Sequence, residues 1–238
     1  MPPTTVHPEL SVVVPALNEA ATLPALLATL AGGLPLPHEV VVADGGSTDG
    51  TAEVARARGS RTVVAPRGRG RQLGAGAHAA RAEVLWFLHA DARPDGAVLR
   101  QVAALAAGHA AGRAITGAHA ARLAIDAPGL AYRIVEAGAN LRSSLAALPY
   151  GDQGLLVTRA HYQAVGGDPA WPLMEDVALV RALRRAGVPI RLLDGRITVS
   201  ARRWQRDGVV RRTLGNWRLL ARFLAGADPE ALAERYRA

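Results

Sequence analysis

Acidic side chains follow two short, mostly apolar segments of this 238-residue chain. Residues 84–88 are apolar without a break and are followed closely by Asp91, while the valine-rich residues 39–43 lead into Asp44. Segments of this length predict buried strands of a parallel sheet. The carboxyl ends of such strands form the edge at which open α/β sheets bind ligands. Because Mg²⁺ and Mn²⁺ prefer oxygen ligands, we expect Asp91 to bind a divalent metal ion that holds a nucleoside diphosphate.

A second group of acidic side chains, Glu175 and Asp176, falls in the first turn of a helix predicted over residues 173–186. The helix dipole favours negative charge at this position, so helix stabilisation is one interpretation of the pair. A carboxylate can also take a proton from an attacking hydroxyl group, so a catalytic base is the other. The pattern alone leaves both interpretations open.

Residues 66–71 form a basic, glycine-rich segment ahead of a helix predicted over residues 72–82. Glycines at a helix start allow backbone N–H groups to approach a phosphate, and Arg67 and Arg71 add positive charge. A flexible surface loop has a similar composition and is the alternative. The position of the segment just before the strand that leads to Asp91 favours phosphate binding.

Strand and helix patterns alternate along the chain and place these side chains. Predicted strands cover residues 10–15, 39–43, 61–65, 84–88, 115–125, 155–157, 191–193 and 196–199, and predicted helices cover residues 22–30, 51–58, 95–107 and 126–148. The alternation in the first half predicts a single α/β domain with a mainly parallel central sheet flanked by helices. Asn18, which follows the first strand, then lies on the same edge as Asp44 and Asp91.

The net charge of +8 is concentrated towards the C-terminus. All 28 basic residues are Arg, and residues 181–238 hold 14 of them against five acidic residues. This excess indicates either an anionic partner or a solvated Arg-rich surface. The chain has no cysteine for disulfides or thiolate sites, and no apolar run approaches the ~20 residues of a membrane span. We expect one domain, residues 1–238, in the cytoplasm.

The last predicted helix, over residues 209–225, is basic and amphipathic, and it belongs to a helical extension over residues 205–238. One side is apolar and carries Val210, Leu214, Trp217, Ala221 and Leu224, and it is flanked by Arg211, Arg218 and Arg222. Packing of the apolar side on the domain is the commoner arrangement for such a helix. Peripheral contact with an anionic membrane, at the inner face of the cell membrane, is the alternative.

Six short motifs occur in an order that resembles glycosyltransferase family 2, the inverting nucleotide-sugar transferases with a GT-A fold. The motifs are Val12–Glu19, Ala43–Thr51, His89–Asp91, Gly151–Gln153, Met174–Asp176 and Ser200–Trp204. Within the family, the chain is most similar to a small soluble bacterial subgroup associated with radical-SAM/selenodomain proteins. It departs from the family pattern at His89, where many members have the first aspartate of an Asp-x-Asp metal motif.

The resemblance implies a role for each matching position. Asp91 binds the metal, Asp176 is the catalytic base and Glu175 positions the acceptor. With the basic segment included, the nucleotide-binding residues are Pro15, Asn18, Glu19, Asp44, Arg67, Arg71 and Ala90. The acceptor and diphosphate region comprises His89, Asp152, Gln153, Arg203 and Trp204.

The implied reaction is transfer of a sugar from a UDP- or GDP-sugar to an acceptor hydroxyl group, with Mg²⁺ or Mn²⁺ at the departing diphosphate. The acceptor is left open among a lipid, a carotenoid acid, a small metabolite and a peptide. A nucleotidyltransferase is one alternative, and it would release pyrophosphate instead of a nucleoside diphosphate. An Arg-rich nucleic-acid-binding module is another, but an aromatic content of 4% provides few rings on which bases could stack.

Overall fold

The computed structural model describes residues 7–167, 171 and 173–237, and it describes the side chains of the last helix as far as Ala233. Residues 1–6, 168–170, 172 and 238 of the predicted domain lie outside the described part. The strands are β1 (Leu10–Ala16), β2 (His38–Asp44), β3 (Arg61–Val64), β4 (Val84–Phe87), β5 (Arg93–Pro94), β6 (Ala118–Asp126), β7 (Leu155–Thr158) and β8 (Ile190–Ser200). The helices are α1 (Leu23–Gly33), α2 (Thr51–Ala57), α3 (Arg69–Ala79), α4 (Gly96–Ala110), α5 (Leu130–Ala146), α6 (Arg159–Ala164), α7 (Glu175–Arg185), α8 (Arg202–Asp207), α9 (Val209–Leu224) and α10 (Pro229–Arg237), and a 3₁₀ turn covers Gly151–Gln153.

The eight strands form one mixed sheet in the order β3-β2-β1-β4-β7-β6-β8-β5. β1 to β4 pair in parallel with one another, as the sequence predicts. β7 runs antiparallel to both β4 and β6, whereas β6 and β8 are again parallel. The carboxyl ends of β1, β2 and β4 therefore meet at one edge, because crossover helices return the chain to the opposite edge each time.

The central strands are buried on both faces. Trp86 and Leu88 pack into the cluster that contains α1 and α4, whereas Leu85 and Phe87 pack into the cluster that contains α3 and α7. Side chains alternate between the two faces of a strand. A strand that is covered on both sides therefore requires apolar residues at successive positions, which explains the unbroken apolar run before Asp91 in the sequence.

β8 is one long strand where the sequence predicts two short ones. Gly195 lies between the two predicted segments with φ of 126°, opposite an irregularity in the β6 register between Ala120 and Arg122. A Cβ atom at Gly195 would lie 2.6 Å from the Oδ1 of Asp95, the residue that caps α4. The glycine interrupts the apolar pattern because the start of α4 approaches the strand at this point.

The C-terminal helices differ most from expectation. The apolar side of α9 faces outward, and its large side chains Val210, Leu214, Trp217 and Leu224 are between 46% and 71% exposed. The opposite side, which includes Arg212 and Asn216, is less exposed and borders a cleft. α9 packs on the domain, as expected, but through Leu220 and Phe223 rather than through this apolar side. None of the described helices combines the length and apolar composition needed to cross a bilayer.

Candidate active site

Hydrogen bonds join the loops that follow β1 and β2. The backbone N–H of Asn18 donates to the Oγ of Ser47 over 2.9 Å, and the Oδ1 of Asn18 accepts from the N–H of Thr48 over 2.9 Å. Asn18 has φ of 55°, a left-handed conformation that Asn adopts more readily than most residues. Asp44 accepts a 3.1 Å hydrogen bond from the N–H of Ser47. The predicted binding residues Asn18 and Asp44 thus lie together at the carboxyl edge of the sheet.

Next to this edge is a cleft of about 130 Å³ between the end of β4, the 3₁₀ turn and helices α7 to α9. Carboxylates and guanidinium groups share its lining. They belong to Asp91, Asp152, Asp176, Arg69, Arg203 and Arg212. Such a mixture suits a ligand that carries phosphate charge at one end and hydroxyl groups at the other.

Asp91 is placed in the cleft by the tight turn after β4. Its side chain is 23% exposed, and its Oδ2 lies 3.9 Å from the Nη2 of Arg202. The same Nη2 is 3.2 Å from the Oε2 of Glu19. One guanidinium group therefore connects the β1 loop to the metal-binding candidate, so the edge that carries Asn18 and the cleft that carries Asp91 are neighbours.

Asp176 is held in the cleft by backbone N–H groups. Its Oδ2 accepts a 2.6 Å hydrogen bond from Gly151, and its Oδ1 accepts a 2.7 Å bond from Val177. A Cβ atom at Gly151 would lie 3.0 Å from the Nε2 of His89 and 3.2 Å from the Oδ2 of Asp176. Two predicted site residues that are far apart in the chain therefore meet around a glycine of the 3₁₀ turn.

Glu175, next to Asp176 in α7, has no exposed surface. The Nη1 of Arg69 lies 3.3 Å from its Oε1. Burial raises the pKa of Glu175 to about 7, although the charge of Arg69 acts in the opposite direction. Glu175 therefore has no surface of its own in the cleft and contacts it through Arg69. Its role in positioning the acceptor stays a prediction.

Two further titratable groups of the cleft are shifted mainly by burial. The pKa of Asp152 is raised to about 6 by burial, against the opposing charge of Arg142. The pKa of His89 is held well below its ordinary value by burial and by the nearby Arg69 and Arg203. His89 is consequently neutral at pH 7, and a neutral imidazole has one nitrogen free to accept a hydrogen bond or to bind a metal.

The family model for glycosyl transferase family 2 matches residues 11–144, which is more than half of the chain. The chain belongs to glycosyltransferase family 2. An uncharacterized glycosyltransferase of Mycobacterium tuberculosis is 39% identical over 95 residues, which are 40% of this chain and 42% of that protein. The succinoglycan biosynthesis protein ExoA of Rhizobium meliloti is 56% identical over 46 residues, 19% of this chain and 14% of that protein. The chain thus spans less than half the length of these relatives.

Solved structures share the GT-A fold of this chain. The mannosyltransferase PcManGT of Pyrobaculum calidifontis, solved with GDP-Man and Mn²⁺, aligns with 98% of this chain and 80% of its own at a TM-score of 0.61 and 19% identity. TarS of S. aureus, solved with UDP-GlcNAc, aligns with 80% of this chain and 58% of its own at a TM-score of 0.60 and 19% identity. The predicted fold class is therefore confirmed, while the narrower bacterial subgroup stays a prediction.

Gln153 does not face the cleft, contrary to its predicted place in the acceptor and diphosphate region. Its side chain is fully buried. Its Nε2 donates to the carbonyl of Ala121 over 2.9 Å, and its Oε1 accepts from the Oγ of Ser143 over 2.6 Å. Because both ends of the amide are engaged, Gln153 anchors the 3₁₀ turn that carries Gly151 and Asp152.

The basic segment reaches the cleft through Arg69, whereas the predicted Arg67 and Arg71 are exposed and do not line it. α3 begins at Arg69, three residues earlier than predicted, after Gly68 with φ of 133°. Successive helical residues are rotated by about 100°, so Arg71 lies roughly opposite Arg69 on the helix. The basic segment thus brings one Arg to the cleft, and the position of the helix start decided which one.

Several other predicted site residues can be placed in the structure. Arg203 and Trp204 line the cleft, as do His89 and Asp152. Ala90 is buried in the core, so it can offer only backbone groups, and Asp44 lies at the edge beside the cleft. Residues of the cleft that the sequence analysis missed are Arg69, Tyr150, Arg212 and Asn216. The last two are four residues apart and so lie on one side of α9, opposite the predicted apolar side, which was the available signal.

The carboxylate at position 91 fits a metal ion that is shared with a substrate. Among the described residues, no group of three or more His, Asp or Glu side chains is arranged to hold a metal by itself. Mg²⁺ and Mn²⁺ commonly bind through one or two carboxylates and take their other ligands from phosphates and water. Asp91, partly exposed in a cleft that also holds Arg69 and Arg203, provides such a carboxylate.

Proposed function

We propose that this family 2 enzyme is an inverting glycosyltransferase that moves a sugar from a UDP- or GDP-sugar to an acceptor hydroxyl group. The observation that carries the proposal is the presence of Asp91 and Asp176 in one cleft with Arg69 and Arg203. A carboxylate for the metal, a carboxylate for the proton and cations for the diphosphate are the groups that a single displacement needs. The UDP-GlcNAc and GDP-Man bound in two structures of the same fold support this donor class.

Asp176 is the proposed catalytic base. The two backbone N–H groups that bond to its oxygens fix the carboxylate in the cleft. An ionised carboxylate has further lone pairs, so it can accept the proton of an attacking hydroxyl group as the new glycosidic bond forms. The acceptor attacks from the face opposite the diphosphate, and displacement without an enzyme nucleophile inverts the anomeric carbon.

The leaving diphosphate gathers negative charge as the bond to the sugar breaks. Arg69 and Arg203 line the cleft, and guanidinium groups bind phosphate oxygens through paired hydrogen bonds. Asp91 is the residue that would hold a divalent ion, which would add charge neutralisation at the diphosphate. His89 occupies the position at which many family members have an aspartate. Because burial lowers its pKa, His89 is neutral and does not repel the diphosphate as that aspartate would.

The nucleoside of the donor is assigned to the edge formed by the β1 and β2 loops. Asn18 and Asp44 are its proposed polar contacts, and Pro15 and Glu19 form the adjoining wall. Support comes from the hydrogen bonds that hold Asn18 against Ser47 and Thr48, because a rigid loop loses little conformational entropy on binding. We assign the entry of the acceptor to the side of the cleft formed by α8 and α9. The proposal also includes contact of α9 with an anionic membrane.

The test is a screen of UDP- and GDP-sugars with Mn²⁺ or Mg²⁺ that follows the released product. Release of UDP or GDP from these donors supports a glycosyltransferase. Release of pyrophosphate from UTP or GTP and a sugar 1-phosphate, assayed in parallel, identifies a nucleotidyltransferase. The Asp176→Asn variant should bind the donor nearly as well as the wild-type protein but lose turnover by a factor on the order of 10² to 10⁴. Asp194→Asn, at an exposed position, is the matched control and should leave turnover unchanged. Wild-type turnover in Asp176→Asn would eliminate Asp176 as the base.

A further inference from the structure

The outward side of α9 is an apolar stripe at the surface of the protein. Leu214 and Trp217 are 51% and 67% exposed, although Leu and Trp side chains are large and apolar. The inward side of the same helix borders the cleft through Arg212 and Asn216. The helix therefore has one side in the candidate active site and an apolar side that no described part of the chain covers.

α5 repeats this arrangement beside it. Its exposed side carries Leu130, Ile134, Leu141 and Leu145, which are between 59% and 79% exposed. The two helices contact each other, and α5 reaches the cleft as well, because the guanidinium of Arg142 stacks 3.4 Å from the ring centre of Tyr150. Two neighbouring helices thus expose apolar side chains while their other sides support the same cleft.

The exposed charged side chains on these two helices have one sign. α9 contains no acidic residue, and its exposed Arg211, Arg218 and Arg222 flank the stripe. The single acidic residue of α5, Glu136, is buried and paired with Arg133 at 2.9 Å. No described side chain of either helix therefore presents a carboxylate to solvent alongside the apolar stripes.

We propose that α5 and α9 together form a docking surface for an anionic lipid bilayer. Apolar side chains that include Trp and Leu, flanked by Arg, are the pattern of helices that lie in the plane of a membrane interface. The apolar stripes enter the headgroup region, and the Arg side chains bind lipid phosphates. Because both helices also support the cleft, docking holds the acceptor side of the enzyme at the bilayer. The docking surface extends the α9 contact of the proposed function to α5. Only the orientation of the acceptor side rests on the proposed chemistry, because vesicle binding is measured without donor or acceptor.

The charge pattern favours a bilayer over a second copy of the chain. In a symmetric dimer built on these helices, the same Arg-flanked surface would face itself, and like charges would repel. Nucleic acid also binds Arg, but it offers no partner for the aliphatic side chains of α5. An anionic bilayer satisfies both the cationic flanks and the apolar stripes.

The experiment is co-sedimentation of the full chain, without donor, with phosphatidylcholine vesicles that contain or lack phosphatidylglycerol. We expect binding that requires phosphatidylglycerol and weakens with added salt. Each Arg near an anionic surface strengthens binding by a factor of about five, so Arg211→Gln/Arg218→Gln/Arg222→Gln should weaken partitioning well over tenfold. Leu141→Ser/Leu145→Ser in α5 and Leu214→Ser/Trp217→Ser in α9 should each weaken it as well. All of these side chains are exposed, so the thermal midpoints should stay close to that of the wild-type protein.

Controls separate specific docking from general charge attraction. Arg58→Gln/Arg100→Gln/Arg122→Gln removes three exposed Arg from other surfaces, and Val64→Ser removes an 84% exposed apolar side chain from an edge strand. Both should bind vesicles like the wild-type protein. Equal loss in the Arg control, binding that ignores phosphatidylglycerol, or wild-type binding by the α5 variant would each overturn the two-helix surface. A dimer in solution that Leu214→Ser/Trp217→Ser dissociates would assign the surface to a second copy instead.

Discussion

The backbone N–H of Gly151 donates a 2.6 Å hydrogen bond to the Oδ2 of Asp176, 25 residues further along the chain. The bond ties the 3₁₀ turn to the first turn of α7. Gln153, buried at the end of the same turn, keeps that turn in place through Ala121 and Ser143. The orientation of the proposed base therefore depends on a turn that does not itself supply the base.

Gly151→Ala should lower kcat while leaving the fold intact. An added Cβ atom would lie 3.0 Å from the Nε2 of His89 and 3.2 Å from the Oδ2 of Asp176, so at least one of these side chains must shift. A displacement of around 1 Å in a catalytic group can reduce the rate by as much as about a hundredfold. Steady-state kinetics and a thermal melt check this prediction. Gly138→Ala in α5, where an added Cβ meets nothing within 4 Å, is the control, and an unchanged kcat for Gly151→Ala would show that the turn does not position Asp176.

Asp91→Asn should remove the metal-dependent part of nucleotide binding. The amide keeps the size of the side chain but loses the charge that a divalent cation requires. Isothermal titration calorimetry with UDP and GDP, with and without Mn²⁺, should show that Mn²⁺ no longer strengthens binding in the variant. Asp126→Asn, whose side chain is 59% exposed, should behave like the wild-type protein. If Mn²⁺ strengthens binding to Asp91→Asn as much as before, the ion is held elsewhere.

Arg69→Gln and Arg71→Gln form a matched pair two positions apart. Arg69 lines the cleft and contacts Glu175 at 3.3 Å, whereas Arg71 is exposed. Losing a charged hydrogen bond to a diphosphate costs about 1.5–3 kcal/mol, so Arg69→Gln should weaken nucleoside diphosphate affinity by roughly tenfold to a hundredfold. Arg71→Gln should change it by less than about twofold. Equal losses of affinity in the two variants would show that the basic segment as a whole, rather than Arg69 alone, binds the diphosphate.

Glu175→Gln should alter how stability depends on pH. Burial raises the pKa of Glu175 to about 7 from an ordinary value of 4.5, so between these values the folded protein retains a proton that the unfolded chain releases. The free energy of unfolding therefore falls as the pH rises through this window. The variant lacks this loss, so its stability relative to the wild-type protein should increase across the window by up to about 1.4 kcal/mol per pH unit.

Urea denaturation of the wild-type protein and of Glu175→Gln, at about pH 5 and about pH 8, measures this difference. Asp152, whose pKa is also raised by burial, is present in both proteins, so its contribution cancels. Glu83→Gln, whose side chain is 66% exposed, should show no such trend. A stability difference between Glu175→Gln and the wild-type protein that does not vary with pH would contradict the predicted protonation of Glu175.

The sequence by itself determined the parallel half of the sheet and the residues at its carboxyl edge. Burial on both faces of a strand requires a continuous apolar run, and such a run is visible in the sequence at residues 84–88. The polar residues that follow these runs, Asn18, Asp44 and Asp91, could therefore be placed from local pattern alone. The six motifs in order added the family, which the match over residues 11–144 shows.

Only the tertiary structure decided which side chains face the cleft. Arg69 rather than Arg67 or Arg71 lines it, because the helix begins one turn earlier than the pattern suggested. Gln153 is turned into the core, and the apolar side of α9 is turned to the surface. Each of these outcomes depends on contacts between residues far apart in the chain, which neither hydrophobic periodicity nor a short motif encodes.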